Sequence, residues 1–281
     1  MKYHYFPAMG TTVEAWLEPT MEIDDLIEWF ESVESECSRF RPDSALSELN
    51  CRPETTVRVG GILGEVLASA QEALDLSAGL VDAATGSALH AWGYSESFGI
   101  GLKPVDAPER PPLPRWQYQH GKLEREKGTY LDLGGTAKGW TCDRAVKDGL
   151  ASVVSAGGDM RSACDDTVVP IVDPWGEVVA TLPLGRGGLA TSSQTRRRWK
   201  AGDRTVSHII DPRAMTPTDS PVLSASATAH TALEAEVAAK TILLHGIDGL
   251  DWADKTPWVG SALLVWNDGS VYGTGGLKVA I

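Results

Sequence analysis

The chain has 281 residues, of which 42% are hydrophobic, and a formal net charge of -13 at pH 7. This length and composition suffice for a folded core and exclude a disordered chain. The acidic balance argues against binding to nucleic acid or insertion into an anionic membrane surface, because both require clustered Lys and Arg. No apolar run in the sequence is long enough for a signal peptide or a membrane span, so we expect a cytoplasmic protein.

Helices and strands are predicted to alternate irregularly along the chain. Residues 21–40 and 61–79 repeat apolar side chains at helical spacing and predict two amphipathic helices. The Pro-rich residues 101–117 predict an exposed connection. Runs rich in Val and Ile predict strands, several of them in hairpins: YLDLG, SVVSAGG, TVVPIVDP, VVATLPL, TVSHIID, and SALLVW with SVYGT across the turn NDG. This order is not the βαβα alternation of a doubly wound sheet, and it predicts an α+β fold with mostly antiparallel sheet and flanking helices.

The four cysteines carry no sign of a metal site or a disulfide framework. They are Cys37, Cys51, Cys142 and Cys164, and no two of them form a CxxC pair. We interpret them as buried or incidental thiols.

The segment LDLGGTAKGW, residues 131–140, combines features of a site for an anion. Its glycines allow a ligand to approach the backbone, amides at the start of the following helix favour an anionic oxygen, and Lys138 adds a positive charge. The segment lacks the GKS/T of a P-loop and the GxGxxG of a dinucleotide fold. A tight turn from a strand to a helix, without any ligand, is the alternative.

His208, in the segment SHIIDPR, is a candidate general base. Its unperturbed pKa lies near neutrality, and Asp211 is close enough in sequence to orient or polarise it. The alternative is a histidine that only fills the core.

Seven segments together resemble the ApbE family, the FAD:protein FMN transferases. They occur in the order and spacing of that family and cover almost the whole chain: MGTTVEAW at 9–16, SRFRPDSALSELN at 38–50, VDAATGSALHAWGY at 81–94, LDLGGTAKGW at 131–140, SAGGDMRS at 155–162, TSSQTRRR at 191–198 and SHIIDPR at 207–213. The resemblance implies a single α+β domain over residues 1–281 that binds FAD in a cleft. With Mg²⁺, such an enzyme transfers FMN to the hydroxyl of a threonine or serine in a partner flavoprotein and releases AMP.

The resemblance also implies roles for individual residues. His208 matches the base that activates the acceptor hydroxyl, and Gly135 matches the position that offers a backbone oxygen to the metal. The positions matching the FAD site are Met9, Asn50, Thr85, Gly86, Asp132, Lys138 and Ile210, with Asn50 on the rim of the cleft. Two smaller departures concern loop shape: the family's TSG is TSS here, with Ser193, and its PRTG is PRAM at 212–215.

The predicted last helix departs from the family at the metal. Relatives carry an Asp and, four residues later, a Thr, where this chain has Glu236 and Lys240. Thr241 does not replace the lost Thr, because it points about 100° further round the helix. Leu233 and Leu244 lie on the apolar stripe of the helix, which includes Lys240 and has Glu236 at its edge. This position argues against an ordinary i,i+4 pair on a solvated face, because a buried lysine is unfavourable unless it is paired or faces a polar cleft.

Two arrangements of this helix and three functions therefore stay open. Either Glu236 holds Mg²⁺ together with Gly135, with Lys240 paired to Glu236 or to a phosphate, or the ammonium of Lys240 replaces the metal. FMN transfer is the leading function. An FAD pyrophosphatase, in which water takes the phosphoryl group, and a non-catalytic FAD-binding protein are the alternatives.

Overall fold

A computed structural model of the chain describes residues 1–96, 106, 108–109 and 111–274. The helices in this part of the chain are α1 (Ile23–Cys37), α2 (Ala45–Cys51), α3 (Gly61–Leu76), α4 (Gly86–Ala91), α5 (Ala137–Lys147), α6 (Ala232–His245) and α7 (Asp248–Lys255). The strands are β1 (Lys2–Ala8), β2 (Thr11–Leu17), β3 (Thr56–Arg58), β4 (Trp116–Gln119), β5 (Lys122–Arg125), β6 (Val153–Ala156), β7 (Asp159–Ser162), β8 (Val168–Val172), β9 (Val178–Pro183), β10 (Gly188–Ser193), β11 (Arg198–Ala201), β12 (Arg204–Ser207), β13 (Ile210–Asp211), β14 (Thr216–Pro217), β15 (Val222–Ala229), β16 (Val259–Trp266) and β17 (Val271–Gly273).

The residues group into two compact units. The first unit contains residues 1–29, 138–195 and 219–281, and the second contains residues 30–137 and 196–218. The chain therefore passes from the second unit back to the first between Ala137 and Lys138, near the start of α5.

The first unit is built on an eight-stranded sheet with the order β1-β2-β6-β7-β10-β15-β16-β17. Every neighbouring pair in this sheet is antiparallel. Helix α6 packs against β10 and β15, and its apolar side chains are buried in this contact. The backbones approach so closely at Gly188 that a Cβ there would lie 2.1 Å from the carbonyl carbon of Thr231, which requires glycine.

Helix α6 is fixed at its start by two sets of hydrogen bonds. Thr231 and Glu234 form a capping box, in which each side chain accepts a hydrogen bond from the other residue's backbone N–H. The carboxylate of Asp143 on α5 accepts hydrogen bonds from the N–H groups of Ala232 and Leu233, at 2.8 and 3.0 Å. These bonds satisfy backbone donors that a helix start leaves open, so the position of α6 relative to α5 is well determined.

The second unit joins α2, α3 and α4 to small sheets. Strands β3, β5 and β4 form a three-stranded antiparallel sheet, and β11/β12 and β13/β14 are hairpins. An aromatic cluster holds the hairpins to α4. In it the indole N–H of Trp199 donates to the carbonyl of Trp92 at 2.6 Å, and the indole N–H of Trp92 donates to the carbonyl of Met215 at 3.3 Å.

The structure confirms the predicted α+β class and most of the predicted elements. The two amphipathic helices correspond to α1 and α3, and the NDG turn joins β16 to β17. The prediction of a strand at YLDLG is wrong, because residues 130–134 have no regular secondary structure. Of the predicted connection at 101–117, residues 101–105, 107 and 110 lie outside the described residues, and β4 begins at Trp116. A single domain over residues 1–281 stays a prediction.

Candidate functional site

The turn at residues 131–137 in the second unit is ordered by its own backbone and by Asp132. The N–H of Gly134 donates to Oδ1 of Asp132 at 2.7 Å, which is an Asx-turn. The N–H groups of Thr136 and Ala137 then donate to the carbonyl of Leu133, at 3.1 and 2.8 Å, and lead into α5. Lys138 is therefore the second residue of that helix.

Two of the predicted FAD-site residues hold the backbone of this turn. The side-chain amide of Asn50 makes two hydrogen bonds with Leu131, one to its carbonyl and one from its N–H, each 2.9 Å long. Gly86 packs so tightly that a Cβ would lie 2.6 Å from the carbonyl oxygen of Tyr130 and 2.8 Å from the nitrogen of Asp132. Thr85, beside it, donates from its hydroxyl to the carbonyl of Asp82 at 2.7 Å. Asn50 and Gly86 thus position the turn, and direct contact of Asn50 with FAD stays a prediction.

Asn50→Leu is expected to lower the free energy of unfolding by about 2–4 kcal/mol, because it leaves a backbone donor and a backbone acceptor of Leu131 unsatisfied. Asn50→Asp is the matched control, since it keeps the oxygen that accepts from the Leu131 N–H and loses only the N–H that donates to the Leu131 carbonyl. We expect its loss of unfolding free energy to be about half that of Asn50→Leu. Urea denaturation measures both values. A loss below about 1 kcal/mol for Asn50→Leu would show that water readily replaces the amide.

Asp132 is paired with a guanidinium that the sequence analysis did not assign to the site. Nε of Arg39 bonds Oδ2 of Asp132, and the side chain of Arg39 is only 2% exposed. The guanidinium carbon lies 4.1 Å from the ring centre of Phe40 and 4.9 Å from that of Tyr94. In the described part of the chain, neither Nη1 nor Nη2 of Arg39 has a hydrogen-bond partner. The two unsatisfied N–H donor groups of Arg39 lie beside a carboxylate and aromatic rings, and they suit hydrogen bonding to the acceptor atoms of a nucleotide such as FAD.

His208 lies in the same aromatic cluster. Its ring packs edge-on against Tyr94, with ring centres 6.4 Å apart, and Tyr94 stacks on Trp199 at 5.5 Å. The hydroxyl of Tyr94 accepts a hydrogen bond from Nη1 of Arg197 at 3.3 Å. His208 is half-buried, directly after β12. Tyr94 therefore contacts both His208 and Arg39, the partner of Asp132, although 76 positions separate His208 from Asp132 in sequence.

The segment after His208 contains an ion pair between Asp211 and Arg213. The Asp211 carboxylate accepts hydrogen bonds from the guanidinium of Arg213, one of them 2.7 Å long. A role for Asp211 in orienting His208 stays a prediction. Burial acts to raise the pKa of Asp211, but the bonds from Arg213 outweigh it and the pKa is lowered.

Ile210 is buried in the aromatic cluster. Met215, which stands where the family's PRTG has glycine, is buried and has a left-handed backbone with a φ of 53°. This φ is one that glycine adopts readily, so the loop keeps the backbone conformation of the glycine that Met215 replaces.

The first unit contains a buried group of four charges. Nζ of Lys138 lies 2.7 Å from Oδ2 of Asp159 and 3.2 Å from Oε1 of Glu236. Nζ of Lys240 lies 3.9 Å from the same Oε1, and the N–H of Gly139 donates to Oε2 of Glu236 at 3.3 Å. Glu236 and Asp159 are 4% and 6% exposed, while Lys138 and Lys240 are 14% and 18% exposed. We call these four side chains the charge cluster. The helical geometry correctly predicted that Glu236 and Lys240 do not form a solvated pair. Glu236, which was predicted at the edge of the apolar stripe, is nevertheless the more deeply buried of the two.

Two tight turns lie at one end of the first unit's sheet, near Asp159. Met9 and Gly10 connect β1 to β2 with φ angles of 51° and 67°, and Gly157 and Gly158 connect β6 to β7 with 64° and 107°. A Cβ on Gly157 would lie 2.7 Å from the hydroxyl of Thr11, so the two turns touch. A left-handed methionine is uncommon and favours a functional reason for this turn, since residues held in such conformations cluster at ligand sites.

Burial raises the pKa of Asp143 to about 6, against the lowering effects of the Ala232 and Leu233 amides and of Arg161. The pKa of Asp143 is about 3.8 in the unfolded chain and about 6 in the folded protein. The stability that Asp143 contributes is therefore fully present at a pH below 3.8 and is lost as the pH rises through 6. The difference in free energy of unfolding between wild type and Asp143→Asn should therefore fall between pH 4 and pH 7, by at most about 3 kcal/mol. Urea denaturation at each pH tests this, and a difference that grows with pH would contradict it.

The predicted site residues divide between the two units. Those in the second unit are Asn50, Thr85, Gly86, Asp132, Gly135, His208 and Ile210, and those in the first are Met9, Lys138, Glu236 and Lys240. Sequence reasoning missed Arg39, Tyr94, Trp199 and Asp159. The position of Asp159 directly after a glycine pair was the one available signal for it.

The charge cluster does not fit a magnesium ion. Mg²⁺ requires an octahedral set of oxygen ligands. Glu236, the acidic side chain predicted as a ligand, already bonds the ammonium of Lys138 and the N–H of Gly139, and a second ammonium lies 3.9 Å away. In the part of the chain that the structure describes, no group of three His, Cys, Asp or Glu side chains could hold a metal ion.

The fold is that of flavin transferase structures. The chain aligns with the ApbE protein of Thermotoga maritima with a TM-score of 0.82 and 22% identity, covering 98% of this chain and 97% of that one. It aligns with the flavin transferase ApbE of Vibrio cholerae with a TM-score of 0.80 and 22% identity over the same shares.

Sequence comparison identifies the family. The model of the ApbE family matches residues 9–263, so the chain belongs to the ApbE family. The chain is similar to FAD:protein FMN transferases from Haemophilus influenzae, at 24% identity over 90% of this chain and 80% of that protein, and from Vibrio cholerae, at 26% over 85% and 80%. The Rhodobacter capsulatus enzyme is 30% identical over 75% of this chain, which spans 44% of that protein.

Among the described residues, no helix is both long enough and apolar enough to cross a lipid bilayer.

Proposed function

We propose that this protein transfers FMN from FAD to a threonine or serine hydroxyl of a partner flavoprotein and releases AMP. The observation that carries the proposal is the match to the ApbE family over residues 9–263, which includes the segments of Asp132, Lys138 and His208. Curated relatives across this match are named FAD:protein FMN transferase.

The reaction has a defined balance of bonds and protons. The acceptor oxygen attacks the phosphorus of the FMN half, the bond from that phosphorus to the bridging oxygen breaks, and AMP leaves with that oxygen. His208 takes the proton of the acceptor hydroxyl. The half-buried imidazole of His208, which packs edge-on against Tyr94, suits this role because imidazole accepts and releases a proton through its ring nitrogens.

Positive charge must stabilise the oxygens of the phosphoryl group and the leaving AMP. The half-buried ammonium groups of Lys138 and Lys240 are the side chains of the charge cluster that supply it. Arg39 and Asp132 support binding of the nucleotide in the second unit, since they combine orphan donors with a carboxylate beside Phe40 and Tyr94. The proposal includes no step through Mg²⁺, because the charge cluster does not fit that ion. A location in the cytoplasm stays a prediction.

Intact-mass spectrometry tests the proposal. The purified protein is incubated with FAD and a flavoprotein domain that carries a threonine acceptor, beside the same domain with that threonine replaced by valine. We expect the threonine domain alone to gain the mass of FMN less one water, with release of an equal amount of AMP.

Two other outcomes would refute FMN transfer in favour of the alternatives. Free FMN and AMP with an unchanged acceptor would identify an FAD pyrophosphatase. FAD that stays intact but bound would identify a flavin-binding protein.

A further inference from the structure

The charge cluster is electrically balanced without a metal ion. It contains two carboxylates, Asp159 and Glu236, and two ammonium groups, Lys138 and Lys240, all held within hydrogen-bond or ion-pair distance of a neighbour. The carboxylates thus stabilise the two ammonium groups, and little negative charge remains to attract a divalent cation.

The position of the Lys240 side chain is determined by helix α6. Lys240 lies one turn after Glu236 on α6, whose start is fixed by the capping box and by Asp143. Its ammonium is 3.9 Å from Oε1 of Glu236, and its side chain is 18% exposed. A lysine held at this depth by a buried carboxylate keeps one charge at a defined point and still has a path to a ligand.

The hydrogen bonds of Glu236 also argue against a divalent cation at the charge cluster. Both of its oxygens already accept hydrogen bonds, Oε1 from Lys138 and Oε2 from Gly139. A divalent cation bound here would have to displace these donors and would lie beside two ammonium charges of the same sign. Mg²⁺ also loses its hydration water reluctantly and therefore binds poorly to a carboxylate that is already satisfied.

We infer that the ammonium of Lys240 takes the place of the divalent cation in this protein, so that its pyrophosphate substrate is bound and cleaved without metal. The inference rests on the proposed function for the identity of the substrate. Lys240 keeps its proton throughout: the acceptor oxygen bonds to the phosphorus of the FMN half, the bond to the bridging oxygen breaks, and the hydroxyl proton goes to His208.

Two readouts test the inference, and one of them does not depend on transfer activity. The first is Mn²⁺ electron paramagnetic resonance of the metal-free protein with FAD, compared with FAD alone, since bound Mn²⁺ loses its free-ion signal. The second is the rate of FMN transfer in EDTA and in excess Mg²⁺. The variants are Lys240→Thr, Glu236→Asp with Lys240→Thr, and the matched control Lys255→Thr, which removes an exposed lysine at the end of α7.

For the wild type and the control, we expect no Mn²⁺ binding beyond that of FAD alone and less than about a twofold change of rate in EDTA. Lys240→Thr should lose about 10²–10³-fold in rate in EDTA, as expected when a stabilising donor is removed. The double variant should gain Mn²⁺ binding and a dependence on Mg²⁺. Thermal unfolding of each variant shows whether it is folded.

Protein-bound Mn²⁺ in the wild type, or a wild-type rate that EDTA abolishes and Mg²⁺ restores, would overturn the inference. Absence of any FMN transfer by the wild type would instead contradict the proposed function. The Mn²⁺ measurement on the wild type would still decide whether the charge cluster excludes a divalent cation.

Discussion

His208→Ala is expected to lower the rate of FMN transfer by about 10²–10⁴-fold, the range for loss of a general base. FAD binding should stay within about threefold of wild type, because His208 contributes a ring edge to Tyr94 while Asp132 and Arg39 are unchanged. Flavin fluorescence measures the binding, and intact mass of the acceptor domain measures the transfer. His245→Ala, which replaces an exposed histidine at the end of α6, is the matched control and should behave as wild type.

The pH dependence gives this test a second readout. Transfer by the wild type should rise with pH as His208 loses its proton, and the residual transfer by His208→Ala should lose that limb of the profile. Transfer by His208→Ala at the wild-type rate would show that another group accepts the proton. Loss of FAD binding together with transfer would show that His208 holds the nucleotide or the fold.

The helices were predictable because their evidence is local. In α1 and α3 the apolar residues repeat at 3.6-residue spacing, and the same periodicity placed Glu236 and Lys240 of α6 on a buried face. On a helix with an apolar stripe, the angle of a side chain to its neighbours along the chain indicates whether the side chain faces the core. The sequence therefore indicated that Glu236 and Lys240 do not lie on a solvated face, but it did not reveal their partner Asp159 in the charge cluster.

The strand predicted at YLDLG was wrong for a physical reason. Leu131 and Leu133 are buried, so the apolar alternation is real. Their backbone, however, bonds the side chain of Asn50 and forms the turn before α5 and does not enter a sheet. The hydrogen bonds that decide this come from a residue 81 positions away, which local periodicity does not reveal.

The unpredicted members of the site are long-range partners. Arg39 meets Asp132 across 93 positions, and Lys138 meets Glu236 across 98. Arg39 gives no periodic signal, because it lies in the turn between α1 and α2 and its guanidinium packs against Phe40 and Tyr94. The resemblance to the ApbE family supplied positions such as Asp132 and His208, but it could not supply a partner that the family pattern does not name.

Glu236→Gln is expected to lower the free energy of unfolding by about 3–5 kcal/mol, because it leaves buried ammonium charge without its carboxylate. Glu28→Gln, which removes an exposed carboxylate on α1, is the matched control and should change stability by less than about 0.5 kcal/mol. Urea denaturation measures both. A loss of less than about 1 kcal/mol for Glu236→Gln would mean that water solvates the lysines and that the charge cluster is not a buried one.

A double-mutant cycle separates lost pairing from lost packing. In Glu236→Gln with Lys240→Met, one carboxylate and one ammonium are removed together, so Lys138 and Asp159 remain as a balanced pair at 2.7 Å. We therefore expect the double variant to be more stable than Glu236→Gln alone, with a coupling of about 1–3 kcal/mol. If the two losses simply added, Lys240 would not share the charge of Glu236, and the cluster would then have one ammonium whose charge the carboxylates do not balance.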